Sequence, residues 1–143
     1  MGKKGVRLFQ PEHSRNIREL EVLEYRRQIR QKVNELIRLA NNSTIPTEEV
    51  QRKLTLGVAR FGTQLSSQLL RSLHREDSQE RQSIVWLLIL LNEKVTVAPL
   101  QHISQDKRIP RSIRLSASLA LAGLGATLET IEYHRRTRLY AIS

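Results

Sequence analysis

Three of the four histidines recur at a nearly regular spacing, and imidazole nitrogens are common ligands of zinc. His74, His102 and His134 lie 28 and 32 residues apart, close to the repeat length of helical solenoids. Three aligned imidazoles are one donor set that holds zinc. Nothing beside the three marks the hydrogen-bonding partners that orient such ligands. We therefore interpret them as solvent-exposed side chains and predict no metal site.

Other arrangements that support catalysis are weak. The chain has no cysteine, which excludes thiolate catalysis, disulfides and cysteine-based metal centres. Its two aspartates, Asp77 and Asp106, stand where helices are predicted to begin, and no glycine-rich phosphate loop occurs. Trp86 lies in the apolar run Ile84–Leu91, which assigns it to the core. We predict a protein that is not an enzyme, with no catalytic residue and no cofactor.

Basic residues supply most of the remaining chemistry. The chain has 24 Lys+Arg and 14 Asp+Glu, which gives a net charge of +10. Arginine binds carboxylates and phosphates through paired N–H donors, so the composition favours an acidic protein or a phosphate polymer as partner. The bases form three clusters: Arg26, Arg27 and Arg30; Lys107, Arg108 and Arg111; and Arg135, Arg136 and Arg138.

The elements that must position these bases are helical throughout. Apolar residues recur every three or four positions from Ser14 to Ala40, which predicts one long helix over 14–40. Its main apolar stripe contains Val22, Tyr25, Ile29, Val33, Leu36 and Ala40. A second stripe, which we expect to leave apolar surface outside the core, contains Ile17, Leu20, Leu23 and Ile37.

Caps and breakers divide the rest of the chain into three helix pairs over about 47–75, 78–105 and 110–137. Helix starts are marked by Pro46-Thr47, Asp77-Ser78 and Pro110. Residues 1–13 are basic and lack a long apolar run, so we predict a flexible leader there. Residues 14–143 then form a single helical-repeat domain.

The first helix of each pair repeats along the sequence. The segments Gln51–Gly62, Arg81–Asn92 and Arg114–Gly125 align with offsets of 30 and 33 residues. Each is an apolar helix closed by Gly or Asn, the residues that accept a left-handed backbone beyond a helix end. We predict a shorter second helix after each one. Since a single pair of this size cannot bury its apolar stripe, successive pairs must stack.

The last copy of the repeat resembles a known family. Residues 97–125 contain Asp106, Pro110, Ile113-Arg114, the small residues Ala117 and Ala120, and the closing pair Leu124-Gly125. This pattern resembles a HEAT repeat, of the subtype also called the bilin-lyase HEAT-like repeat, and the resemblance extends over about residues 47–137. It implies an armadillo-type, all-α fold, a short right-handed α-solenoid of three HEAT-like helix pairs preceded by one long N-terminal helix.

The resemblance also implies roles for particular side chains. In that family, Asp and Arg of neighbouring repeats form a ladder that fixes the stacking, and the second helices line a concave face. Carried over, the ladder comprises Asp77, Arg81, Asp106 and Arg114. With the basic clusters, the predicted partner-binding residues are Arg71, Arg75, Gln101, His102, Arg108, Arg111, Arg135, Arg136 and Arg138, with Gln64, Gln68 and Gln105 beside them.

We therefore expect a non-catalytic, protein-binding scaffold or adaptor that presents a curved helical surface to another protein, an acidic one. The alternative is sequence-nonspecific binding of nucleic acid through the arginine clusters. The longest apolar run has eight residues, too short for the roughly 20 that a spanning helix needs, and no export signal is present. This predicts a cytoplasmic protein with no membrane partner and leaves the oligomeric state open.

Overall fold

The helical periodicity is realised along the whole described chain. The computed structural model describes residues 11–127, with side chains from 16 to 125, and within this range the secondary structure is helical and no strand occurs. The helices are α1 (Pro11–Asn41), α2 (Thr47–Phe61), α3 (Thr63–Ser72), α4 (Ser78–Leu91), α5 (Val97–Gln105) and α6 (Arg111–Thr127), with a 3-10 turn at Lys94–Thr96 before α5. The all-α prediction is confirmed for these residues.

Helix starts follow the capping signals of the sequence with one exception. The carboxylate of Asp77 accepts hydrogen bonds from the backbone N–H groups of Gln79 at 2.8 Å and Glu80 at 3.5 Å, which confirms the predicted cap of α4. The predicted cap before α2 is wrong as a side-chain cap. Pro46 occupies the capping position and has no side-chain acceptor, while Thr47 is already helical.

Of the three first helices, two end at the glycine or asparagine that the sequence predicts. Gly62 ends α2 with φ 59°, and Asn92 ends α4 in the left-handed region with φ 50°. Gly125 does not end α6, which continues to Thr127, because a glycine inside a helix weakens it by about 1 kcal/mol without stopping it. The second helix predicted to follow Gly125 in the pair 110–137 lies, beyond Thr127, outside the described residues.

The long first helix begins earlier than its apolar pattern. α1 starts at Pro11, whereas the sequence predicts a leader over 1–13 and a helix over 14–40. Proline suits the first turn of a helix, because its fixed φ is helical and the N–H that it lacks has no partner there. The predicted start of the helix at 14 is therefore wrong by three residues. Residues 1–10 lie outside the described part of the chain.

The apolar run of α4 places that helix at the centre of the fold. A helix that is apolar nearly all round must be covered on several sides, and α4 packs against α1, α2, α3 and α6. Ile84, Leu87 and Leu88 are fully buried. Trp86 is half-buried and packs against this core, as its position in the run predicts.

The second half of α1 closes one side of this core. It packs against α2, α3 and α4 through Ile29, Val33, Leu36 and Ile37, each at most 4% exposed. The expectation for Ile37 is wrong, because it follows Val33 by one helical turn and points into the same interior. Residues of this half therefore form part of the core rather than an outer stripe.

Small residues bring α6 close to α4 on the other side. Ala117 and Ala120 are fully buried in α6. A Cβ atom added to Gly123 would lie 2.3 Å from the Cδ1 atom of Ile89 on α4. The two helices approach at this point because position 123 has no side chain.

The first helices of the predicted pairs contact one another in chain order. α4 contacts both α2 and α6. The second helices of the first two pairs do not continue this pattern, since α3 packs on α2, α4 and the 3-10 turn rather than along α5. Thus α1, α2, α3 and α6 surround a central α4, whereas α5 packs on α6 and the 3-10 turn.

Candidate interaction surface

Asp106 belongs to a local turn and not to a ladder between repeats. Its carboxylate accepts hydrogen bonds from the Arg108 side chain and from the Arg108 backbone N–H, all at 3.0 Å. These bonds lower the pKa of Asp106 from 3.8 to about 2. Because Arg108 lies two residues away, it occupies the carboxylate that the ladder would assign to Arg114.

Arg81 also stabilises a turn. Its guanidinium donates to the backbone carbonyls of Arg75 and Glu76, both at 2.6 Å, so it satisfies the chain just before α4. The carboxylate of Asp77 caps α4 instead of pairing with Arg81. The Asp–Arg ladder implied by the resemblance does not form among these residues: Asp77, Arg81 and Asp106 find nearer partners, and the Nε of Arg114 is buried without a hydrogen-bond partner among the described residues.

The predicted contact residues divide into free and engaged side chains. Arg71, Gln101, His102 and Arg111 are exposed. Arg75 is half-buried and donates to Glu80 at 3.1 Å and to Asn34 of α1, so it ties α1 to the turn before α4. Arg108 is engaged by Asp106, although its side chain is 86% exposed. Outside the described residues lie Arg135, Arg136 and Arg138.

Most ion pairs of the described chain join residues close in sequence. Arg52 contacts Glu49 at 2.7 Å and Arg27 contacts Glu24 at 3.9 Å, each within one helical turn. Arg71, Lys107 and Arg111 are exposed and pair with no acid among the described side chains. The outside of α3 and the start of α6 therefore carry uncompensated positive charge.

A strip along α6 combines such a cation with exposed leucines. Arg111, Leu115 and Leu119 follow one another at intervals of four residues, on the side of α6 opposite the buried Ala117 and Ala120. Leu115 is 52% exposed and Leu119 is 61% exposed. We call these three residues the α6 strip. The two leucines are absent from the predicted partner-binding residues, although their four-residue spacing is a signal for an exposed strip.

The first half of α1 is a second exposed apolar element. Every residue from Asn16 to Arg27, a segment that we call the arm, is exposed. Its apolar members, which are 42–64% exposed, are Ile17, Leu20, Val22, Leu23 and Tyr25. Val22 and Tyr25, which belong to the main apolar stripe, are therefore exposed, because no described helix covers this end of α1.

Where the arm meets the rest of the molecule, aromatic and basic side chains form a small contact. The ring of Tyr25 lies 5.7 Å from that of Phe61, and the Arg60 guanidinium lies 5.0 Å from the Phe61 ring. Arg60 also donates to the Gln28 side chain at 2.9 Å. This contact joins α1 to the end of α2 and marks where burial begins.

A polar groove of about 840 Å³ lies beside this contact. Its lining includes Glu24 and Glu35, which pair with Arg27 and Lys32. In each pair the cation lies three residues from the carboxylate, one helical turn along α1. The groove therefore adds polar, charge-paired surface beside the arm contact.

The histidines do not converge in the described part of the chain. His74 is exposed after α3 and His102 is exposed on α5, while His134 lies outside the described residues. From 16 to 125, no three His, Asp or Glu side chains are grouped so that they hold a metal ion.

Comparison with known proteins gives no assignment. The chain matches no protein-family model, no curated protein and no solved structure. Function must therefore be argued from the surface itself. Among the described helices, none combines the length and the apolarity needed to cross a bilayer.

Proposed function

We propose that this protein is a non-catalytic scaffold of stacked HEAT-like helix pairs, acting in the cytoplasm, that binds an acidic and partly apolar segment of another protein. The observation that carries the proposal is the α6 strip. It places Arg111, which pairs with no acid among the described side chains, in line with two half-exposed leucines on one helix face. A segment with carboxylates and apolar side chains complements both features.

The leucines favour a protein over a nucleic acid as the partner. Phosphate contacts are made by cations and by polar N–H and O–H donors, and exposed leucines add nothing to them. Apolar patches bordered by polar groups are typical of protein–protein contacts. The overall charge of +10 adds a long-range attraction for any acidic partner.

A binding measurement with two probes separates these partners. One probe is a fluorescent helical peptide whose successive turns carry leucine and glutamate alternately. The other probe is a fluorescent DNA duplex. We expect the parent protein to bind the peptide. The double variant L115S/L119S should weaken peptide binding at least tenfold, and Arg111→Glu should weaken peptide binding further at low salt. Leu56→Ser is the matched control, because Leu56 is 51% exposed on α2 and lies outside the strip.

The alternative function, binding of nucleic acid through the arginine side chains, predicts a different pattern. Duplex affinity would fall steeply with salt because counterions are released, and the leucine variants would bind duplex like the parent protein. Salt-dependent duplex binding together with no peptide binding, or peptide binding insensitive to L115S/L119S, would contradict the protein-binding proposal.

A further inference from the structure

The buried seam of α1 continues into the arm, where its residue types change. Positions seven apart lie on nearly the same side of a helix. Val22, Ile29 and Leu36 form one such series, and Arg26 and Val33 belong to another. Ile29, Val33 and Leu36 are buried by α2, α3 and α4, whereas Val22 and Arg26 are exposed. The arm therefore extends a packing seam that nothing in the described chain covers.

Two charges on this extended seam are complementary to each other. Glu19 and Arg26 lie seven residues apart on one side of the helix, with Val22 and Leu23 between them. Neither charged group has an ion-pair partner among the described side chains. If two copies of the arm are placed side by side in opposite directions, with the midpoint between Val22 and Leu23 at the centre, Glu19 of each copy lies opposite Arg26 of the other.

We propose that the arm is a weak homodimerisation element that pairs antiparallel with the arm of a second copy. The two-fold axis passes between Val22 and Leu23, so that Val22 packs on Leu23 of the other copy. Each Glu19 carboxylate then faces the Arg26 guanidinium of the other copy, and the two charge pairs flank the apolar centre. Such a self-complementary patch is what a two-fold interface requires.

The size of the arm sets the strength of this dimer. Twelve residues of helix span about 18 Å, and α2, α3 and α4 cover the seam from Ile29 onward. The contact is therefore confined to the arm and falls well below the roughly 1,200 Å² of stable interfaces. We expect reversible dimers in the high-micromolar range, strengthened at low salt. In the antiparallel arrangement, the packed helices of the two copies lie at opposite ends of the paired arms.

Sedimentation velocity of the full chain at 10 µM to 1 mM tests the pairing through charge exchange. The parent protein is expected to form dimers at low ionic strength. Glu19→Arg places four cations in the contact and Arg26→Glu places four carboxylates there, so each variant alone should associate at least tenfold more weakly. An equimolar mixture of the two variants restores both charge pairs and should dimerise, as should the double variant E19R/R26E.

Matched controls change the same charges on other sides of the arm. Glu21→Arg and Arg27→Glu alter the net charge equally and should leave dimerisation within twofold of the parent. Far-UV circular dichroism confirms that each variant stays helical. A parent protein that is monomeric at 1 mM and low salt overturns the proposal, as does a mixture that fails to restore dimers. L115S/L119S should dimerise normally, which separates this contact from the α6 strip.

Discussion

The two halves of α1 have similar apolar content and opposite environments. In the arm, Ile17, Leu20 and Leu23 are 42–64% exposed, whereas Ile29, Val33 and Leu36 in the second half are at most 4% exposed. One uninterrupted helix therefore serves both as part of the core and as free surface. The difference lies in the neighbours, since α2, α3 and α4 cover the second half, whereas in the described chain the arm meets α2 through Tyr25 at its end.

This contrast separates local helix formation from tertiary stabilisation. Isolated helices shorter than about 12–15 residues are marginal in water, and most helical stability in proteins comes from packing. The arm is held by continuity with the packed half and by the Tyr25–Phe61 contact at its end. Changes in the arm should therefore leave global stability nearly unchanged, while equal changes in the packed half should lower it strongly.

Proline substitution gives the largest expected difference between the halves. Gln31→Pro breaks α1 beside the buried Val33 and should lower the free energy of unfolding by about 3 kcal/mol or more. Glu21→Pro breaks the arm and should change that free energy by less than about 0.5 kcal/mol, with a loss of far-UV helical signal. Urea unfolding followed by circular dichroism measures both. Equal destabilisation by the two variants would show that the arm belongs to the cooperative unit.

Leucine truncation tests the same contrast without disturbing the backbone. Leu36→Ala removes a fully buried side chain and should lower the free energy of unfolding by about 3 kcal/mol, through lost burial and a residual cavity. Leu20→Ala removes a side chain that is 64% exposed and should cost less than about 0.5 kcal/mol. Guanidinium titration measures the two values. A large loss for Leu20→Ala would reveal a covering group on the arm.

A smaller effect on stability is expected where α4 and α6 pack closely, a kind of contact that the arm does not make with the described helices. Gly123→Ala places a methyl group against Ile89, whose branched side chain has few rotamers. Overpacking of about 1–3 kcal/mol outweighs the gain of about 1 kcal/mol in helix propensity, so thermal unfolding should shift to lower temperature. Ser118→Ala, on the exposed side of α6, is the control.

A second substitution tests whether the clash causes that shift. Removing the branched side chain in the double variant G123A/I89A should make the two effects less than additive, because the alanine methyl fills part of the space that Ile89 leaves. Additive losses would place the cause elsewhere in α6.

Much of the secondary structure could be predicted from local signals. The Asp77 cap, the Gly62 and Asn92 ends and the apolar run of α4 each depend on a few adjacent residues, and the structure confirms them. Gly125 resembles the other terminators in sequence, but α6 continues through it. A breaker only weakens a helix, and the surrounding contacts decide whether the helix ends.

Surface assignments were harder to predict, because burial depends on which helices meet. Val22 belongs to the main apolar stripe of α1 and Ile37 to the second, yet the structure exposes Val22 and buries Ile37. Asp106 matched a family motif, but its partner is Arg108, only two residues away. Sequence spacing identifies which side chains share a helix face, and does not identify the partner that a charged group selects.

The smallest expected effect concerns a charge pair at the surface of the packed region. Arg108 lowers the pKa of Asp106 from 3.8 to about 2. Because the pKa of the Asp106 carboxyl is lower in the folded state than in the unfolded chain, its ionisation favours the folded state. The pair therefore stabilises the fold above about pH 4. That stabilisation is lost as the pH falls from about 4 towards 2.

NMR titration of the carboxyl carbons measures this pKa directly. The Asp106 resonance should titrate near pH 2, and Arg108→Ala should return its midpoint towards 3.8. Asp106→Asn should remove this contribution to acid unfolding, since an amide does not titrate, and the difference in stability from the parent protein should shrink as the pH falls from about 4 towards 2. An Asp106 midpoint near 4 in the parent protein would show that the Asp106–Arg108 turn is open in solution.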